Sequence, residues 1–390
     1  MKKDPKLSIA EEIMLEFAGL TGLSPARDDP RRYLWTDAFA VCNFLELYRR
    51  TGTEKYRNLA VELVNQVHNI LGRHRKDDPR SGWISGLDEL EGKAHPTKGG
   101  LRIGKKLNER GPGDRFDDRL EWDRDGQYYH YLTKWMHALA RVSAVTGDST
   151  YSGWAIELAR TAHARFTYVP FPGGQKRMYW KMRIDLSSPL VPSMGHHDPL
   201  DGFITYSEVQ ASSRQSSKGA LELAGEIADM ARICKGKDWT TDDALGIGGL
   251  LSDAYRVAQM MSAGTFGERD LLKSLLDASR VGLDTYARTN SLRGPADYRL
   301  AFRELGLSIG LHALERLQGL IEANQDILDK KRLLLTQIAG MREYLKLIDI
   351  IEKFWLEPAN REAASWTEHR DINMVMLATS LIPDGFLTLF

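Results

Sequence analysis

The feature that most limits what this chain can fold into is a pattern that occurs twice. In WTDAFAVCNFLELYRRTGTEKYRNLAVELVNQVHNIL, which begins at Trp35, the residues Ala38, Val41, Leu45 and Tyr48 share one helical stripe. Beyond Thr51-Gly52 a second stripe carries Tyr56, Leu59, Leu63, Val67 and Ile70. Apolar residues spaced three and four apart mark amphipathic helices, and glycine supplies the left-handed backbone that stops the first one. A connection of so few residues requires the two helices to pack antiparallel. The pattern returns in WDRDGQYYHYLTKWMHALARVSAVTGDSTYSGWAIELARTAHARF, with Tyr128, Leu132, Trp135, Leu139 and Val142 before Thr146-Gly147 and Tyr151, Trp154, Leu158, Ala162 and Phe166 after it. Both copies have Trp and Asp at the entrance, Thr-Gly at the turn and Tyr four residues past the Gly. Ala-Val-Glu-Leu in one matches Ala-Ile-Glu-Leu in the other.

Further helical stripes cover about 204–233, 243–263, 268–288, 298–320, 323–346 and 371–381. Only Arg177 to Leu186 reads as a small ribbon. Hairpins of this kind bury their faces against neighbouring hairpins, so they stack into a solenoid or close into a ring. Irregular stretches rich in Gly, Pro and charge, about 72–121 and 167–202, follow the second helix of each recognisable hairpin. With Thr-Gly turns at one end of the helices, these loops and the helix entrances lie at the other, and long loops in compact domains are often functional.

Composition removes several partners. Lys plus Arg and Asp plus Glu number 53 each, so no net field draws the chain to nucleic acid or an anionic membrane. Glu11 and Glu12 interrupt the apolar run that a secretory signal requires. Nothing approaches the roughly 20 uninterrupted apolar residues of a membrane span, and two cysteines make no disulfide framework. The expectation is a soluble cytoplasmic protein.

The hairpins, the Trp-Asp entrances and the run Glu121-Trp122-Asp123-Arg124-Asp125-Gly126-Gln127-Tyr128 resemble the six-hairpin, or (α/α)6 toroid, superfamily of glycoside hydrolases, unsaturated-uronide hydrolases and N-acylglucosamine 2-epimerases. The resemblance implies an all-α fold: a single (α/α)6 toroid domain over residues 1–390, with long loops at one end and a sugar site in the cavity there. It implies a small-molecule or oligosaccharide ligand and calls for no cofactor.

The chemistry has four candidate sources. The densest is the acidic run with Asp114, Asp117, Asp118, Glu121, Asp123 and Asp125. A glycosidase needs one carboxylic acid to protonate the leaving oxygen and a second carboxylate to activate water or attack carbon; equally, these acids cap a helix or balance Arg115, Arg119 and Arg124. At the first entrance, Trp35 offers a face for a sugar and Asp37 accepts hydroxyl hydrogen bonds, while the same pair suits a helix cap with its hydrophobic staple. The loop SMGHHDPLDGF carries His196, His197, Asp198 and Asp201, as acid, base or sugar contact or as turn formers. Zinc is disfavoured, because adjacent side chains seldom converge on one ion. Trp366, His369 and Asp371 repeat the aromatic-plus-acid entrance near the C-terminus, and a closed ring would return them to the same rim. His68, His137, His163 and His312 lie within helical repeats and are read as packing residues.

The leading expectation is therefore hydrolysis of a glycosidic bond, with Glu121, Asp123, His197 and Asp198 catalytic. Trp35, Asp37, Asp118, Trp122, Gln127, Tyr128, His130, Trp180, Arg183, His196, Trp366, His369 and Asp371 are expected to contact substrate, with no metal. The rival enzyme is a sugar epimerase or isomerase in which His197 and His369 exchange a proton beside a carbonyl. A non-catalytic scaffold binding glycan or protein is the third reading.

Overall fold

The twice-written Thr-Gly signal produces the same turn twice. A computed structural model describes residues 4–111, 113–216, 222–289, 291–324 and 331–389. Helix α1 (Pro5–Leu20) is followed by α2 (Leu34–Thr51) and α3 (Glu54–Leu71), which form the first hairpin. Gly52 takes φ 67° and donates its N–H to Tyr48 O, while Thr51 Oγ1 donates to Leu47 O at 2.7 Å and accepts from Thr53 N at 3.2 Å. The second hairpin lies further along the chain, and its turn repeats each contact. Gly147 has φ 74° and donates to Ser143 O, and Thr146 Oγ1 donates to Val142 O at 2.7 Å and accepts from Asp148 N at 3.2 Å. A side chain at either glycine would meet nothing within 4 Å, so backbone handedness and not space demands Gly there.

The chain divides into two compact units, one made of residues 18–235 and the other of 1–17 with 236–390. In the first, the stretch between the hairpins is more ordered than its composition suggests. It contains α4 (Glu89–Ala94), capped by Asp88, and α5 (Asp118–Asp123), capped by Asp117. The second hairpin is α6 (Tyr129–Thr146) with α7 (Ser149–Phe166), entered through β1 (Gln127–Tyr128). The expected ribbon near Arg177 is present as short antiparallel pairings: β2 (Thr167–Tyr168) with β3 (Arg177–Met178), and β4 (Lys181–Met182) between β1 and β5 (Pro189–Val191). Helix α8 (Asp198–Ser216) begins earlier than the stripe at 204 implied, and α9 (Ala224–Cys234) is a separate helix. Helices α2, α6 and α8 pack in sequence, each flanked by its return helix.

The other unit holds α10 (Ala244–Ser262), α11 (Arg269–Arg288), α12 (Ala301–Ala323), α13 (Lys331–Ala339), α14 (Lys346–Leu356), α15 (Ala364–Thr367), α16 (Arg370–Leu381) and α17 (Asp384–Leu387). The stripe expected over 323–346 is broken here: α13 and a 3-10 turn precede α14, and 325–330 fall outside the described residues. Helices α10 and α12 cross on glycines. A Cβ on Gly248 would lie 2.0 Å from Gly306 O, and one on Gly310 would lie 2.5 Å from the Gly248 Cα. Among the described residues no helix is long and apolar enough to cross a membrane.

Gly248→Ala should therefore destabilise the protein by about 1–3 kcal/mol through overpacking. Gly249→Ala, on the exposed face of the same helix with nothing within 4 Å, should be neutral or stabilising by up to about 1 kcal/mol. Urea unfolding of the two variants measures the contrast, and equal effects would disprove the glycine crossing.

Candidate functional site

Three neighbouring helices begin at one rim of the unit formed by residues 18–235. Tyr33 immediately precedes α2, and its hydroxyl lies 2.6 Å from that of Tyr131 in the first turn of α6. In that same turn, His130 Nδ1 is 3.6 Å from Oδ1 of Asp198, the first residue of α8. One turn further along both helices, Lys134 Nζ pairs with Asp201 Oδ1 at 2.8 Å. These contacts set α2, α6 and α8 parallel with their N-termini together, the end at which unpaired backbone N–H groups present partial positive charge.

Aromatic rings line this rim. Trp180, carried between β3 and β4, lies 5.1 Å from the Tyr128 ring centroid and 5.2 Å from that of Trp122, which is 55% exposed. His130 lies parallel to Trp180 at 6.5 Å and stacks on Tyr128 at 5.4 Å. Tyr131 sits edge-on to Tyr128 and His130, and Lys105 Nζ lies 5.4 Å from the Tyr33 ring centroid. A partly open indole face flanked by polar groups suits the C–H face of a polyhydroxylated ring.

At the centre of this wall are two groups whose burial is not compensated. Asp198 Oδ2 and His130 Nδ1 are both buried with no hydrogen-bond partner. Burial, and secondarily the negative charge of Asp201, pushes the Asp198 carboxyl up to about 8; Gly195 N–H and Lys134 pull the other way without prevailing. Burial pushes the His130 imidazole down to about 4. At neutral pH the site thus holds a protonated carboxylic acid beside a neutral imidazole, a donor and an acceptor together.

The other candidates are distributed differently. Glu121 is buried, with Oε1 2.9 Å from Lys181 Nζ and Oε2 3.2 Å from Arg110 Nε. Lys181 also donates to Glu121 O and Arg124 O, so this carboxylate is committed to holding the loop onto β4. Asp125 is fully buried against Arg102 at 2.6 Å and also accepts from Gly104 N. Gln127, expected to touch substrate, is instead a splint: Oε1 accepts from Leu101 N, and Nε2 donates to Gly99 O and Ile184 O. Asp37 accepts from Tyr33 N and faces the buried Arg32, and Trp35 packs against Phe39 in the core. The helix begins before the cap expected at Thr36 or Asp37: Tyr33 is the N-cap, and Asp37 lies inside the first turn and reaches back to it. Arg183 joins Glu109 and Ser188. Asp118 and Asp123 are exposed on α5, and His196 and His197 pack together just before Asp198, with ring centroids 4.6 Å apart. Trp366, His369 and Asp371 belong to the other unit, where Trp366 is buried on Trp355 at 5.6 Å and His369 meets Phe302 edge-on. Among the described residues no group of three or more His, Cys, Asp or Glu is arranged to hold a metal ion.

Tyr33, Tyr131, Lys134 and Lys105 were not anticipated. Tyr33 was legible in retrospect, because a tyrosine precedes both repeated helices, Tyr33 before α2 and Tyr128 before α6. Lys105 lies in a loop with no periodic signal.

No protein-family model matches this chain, and no curated protein matches its sequence. Among solved structures it is similar to cellobiose 2-epimerase from Spirochaeta thermophila DSM 6192 (11% identity, 95% of this chain and 97% of that one, TM-score 0.47). It is similar to a D-mannose isomerase (11% identity, 90% and 87%, TM-score 0.46). It is also similar to an alpha-1,6-mannanase from Salegentibacter sp. HEL1_6 (13% identity, 99% and 100%, TM-score 0.46). The predominantly helical class expected from the sequence is carried by the chain's own helices.

The uncompensated Asp198 has a measurable consequence. Between its ordinary value near 3.8 and its folded value near 8, the native chain retains a proton that the unfolded chain has released. Stability therefore falls as pH rises through that window. Asp198→Asn removes this penalty and should raise stability by a few kcal/mol at pH 8, with little gain at pH 4. Thermal unfolding of both proteins from pH 4 to 8 tests it, and a difference that does not change with pH would show that the carboxyl titrates normally.

Proposed function

We propose that this chain is a carbohydrate-active enzyme that moves a proton on a sugar held against Trp180 and Trp122, the accessible rings above the buried Tyr128, with Asp198 as the acid and His130 as the base. The observation that carries this reading is the Asp198–His130 pair itself, 3.6 Å apart and set in the aromatic wall where three helices begin. A protonated carboxyl can donate to a carbonyl or ring oxygen, and a neutral imidazole can accept a proton from the neighbouring carbon or hydroxyl. That division of labour favours epimerisation or isomerisation, with His130 taking the role that the sequence suggested for His197 and His369. Glu121 and Asp125, the buried acids of the acidic run, are matched to cations and have no capacity left for proton transfer.

Hydrolysis of a glycosidic bond is the second reading, and the position of Asp123 favours it. This carboxylate is exposed, follows Trp122 in sequence and acts on Lys105 of the same rim, and in this reading it would activate water while Asp198 protonates the leaving oxygen.

Purified protein incubated with aldoses, ketoses and short oligosaccharides in deuterated water separates the two. Deuterium in an unhydrolysed sugar supports proton transfer at carbon, whereas new reducing ends without carbon-bound deuterium support hydrolysis. Either activity should fall about 10²–10⁴-fold in Asp198→Asn. The kcat/KM profile should be bell-shaped, rising as His130 loses its proton near pH 4 and falling as Asp198 loses its own near pH 8. A turnover insensitive to both Asp198→Asn and His130→Gln would place the chemistry elsewhere.

A further inference from the structure

Lys105 is a half-buried cation on this rim that makes no direct ion pair. Among the described residues no carboxylate lies within ion-pair distance of its ammonium, and its nearest ring contact is the Tyr33 face at 5.4 Å. Its surroundings differ from those of other loop cations that are withdrawn from solvent: Arg102 and Arg75 hold Asp125, Lys181 and Arg110 hold Glu121, and Arg80 holds Asp78 and Glu109. Desolvation lowers the proton affinity of Lys105, and Asp123 and Asp125 act on it only through longer-range attraction, opposed by Lys181. A partly desolvated ammonium gains most when a partner supplies the missing negative charge.

A hydrogen-bond donor lies beside it. In the 2.6 Å contact between the Tyr33 and Tyr131 hydroxyls only one can donate to the other, so the second O–H is left to donate outward. Tyr131 in turn packs edge-on against His130 at 4.8 Å, which joins this donor pair to the Asp198–His130 centre through a single ring. The N-termini of α2 and α6, which carry Tyr33 and Tyr131, add positive potential at the same place.

From this arrangement we infer that Lys105, with the Tyr33–Tyr131 hydroxyl pair, forms a subsite for an anionic substituent of the substrate, so that the preferred ligand is a sugar bearing a carboxylate or a phosphate. The inference rests on the sugar-binding reading above and extends it by giving the substrate a charge. The anion would supply the direct ion pair that Lys105 lacks, accept the second O–H and orient the sugar with its reacting carbon towards His130. Affinity for such a ligand would also weaken with salt, because one full charge pair is formed on binding.

Calorimetric titration of the whole protein with glucose and with glucuronate, which differ by a carboxylate at C6, tests this directly. Glucuronate should bind at least about tenfold more tightly at low salt. That ratio should fall towards one in Lys105→Met, persist in Lys105→Arg and shrink as salt is added, with cooperative thermal unfolding confirming that each variant is folded. If the two sugars bind equally, or if the preference survives Lys105→Met, the anionic subsite is wrong while sugar binding stands. If neither sugar binds the unmodified protein, the proposed function fails and the subsite fails with it.

Discussion

The left-handed glycine at the Thr-Gly turns is the constraint from which the candidate site follows. A turn closed at Gly52 and again at Gly147 leaves the returning helix no direction but back along its partner. Each hairpin therefore delivers the chain to the end where it began, and α2 and α6 start side by side. Helix α8 starts at the same end, held to α6 through the Lys134–Asp201 pair and the approach of His130 to Asp198. Residues distant in sequence, Tyr33, His130 and Asp198, become neighbours only because three helix entrances coincide.

The polar groups near this rim divide by whether their charge is matched. Glu121, Asp125 and Gln127 are buried with full sets of partners, and those partners are the loop segments that must be kept in place. Their burial builds structure. Asp198, His130 and Lys105 are also removed from water to a large degree, but their surroundings do not match the charge each would ordinarily carry. A fold retains such groups at a cost in stability, and a carboxyl held protonated at neutral pH is one that catalysis can use. The carboxylate of Glu121 is engaged by Lys181 and Arg110, whereas that of Asp198 is not matched by a cation in contact.

Much of this arrangement was legible from residue order. The repeat, the turn glycines, the two hairpins and the helices at about 243–263 and 268–288 follow from local spacing, and local spacing is what a helix records. Within the acidic run, residue order could not show that Glu121 is matched by Lys181 and Arg110 and Asp125 by Arg102, because those cations approach from other parts of the chain. Trp35 and Trp366 looked like sugar walls because an aromatic residue at a helix entrance serves as platform or as core equally well, and both are buried. Lys105 gave no signal, since a lysine in an irregular loop becomes notable only when folding withdraws it from solvent without a direct ion pair.

The sequence by itself determined the all-α class, the hairpin as building unit and the end of each hairpin at which helices begin, because periodicity and turn chemistry act over a few residues and need no distant partner. Only the tertiary structure decided which acid stays protonated, which histidine faces it and which aromatic rings remain open. Those properties depend on desolvation and on charges brought together from separate segments, and neither exists until the chain has folded.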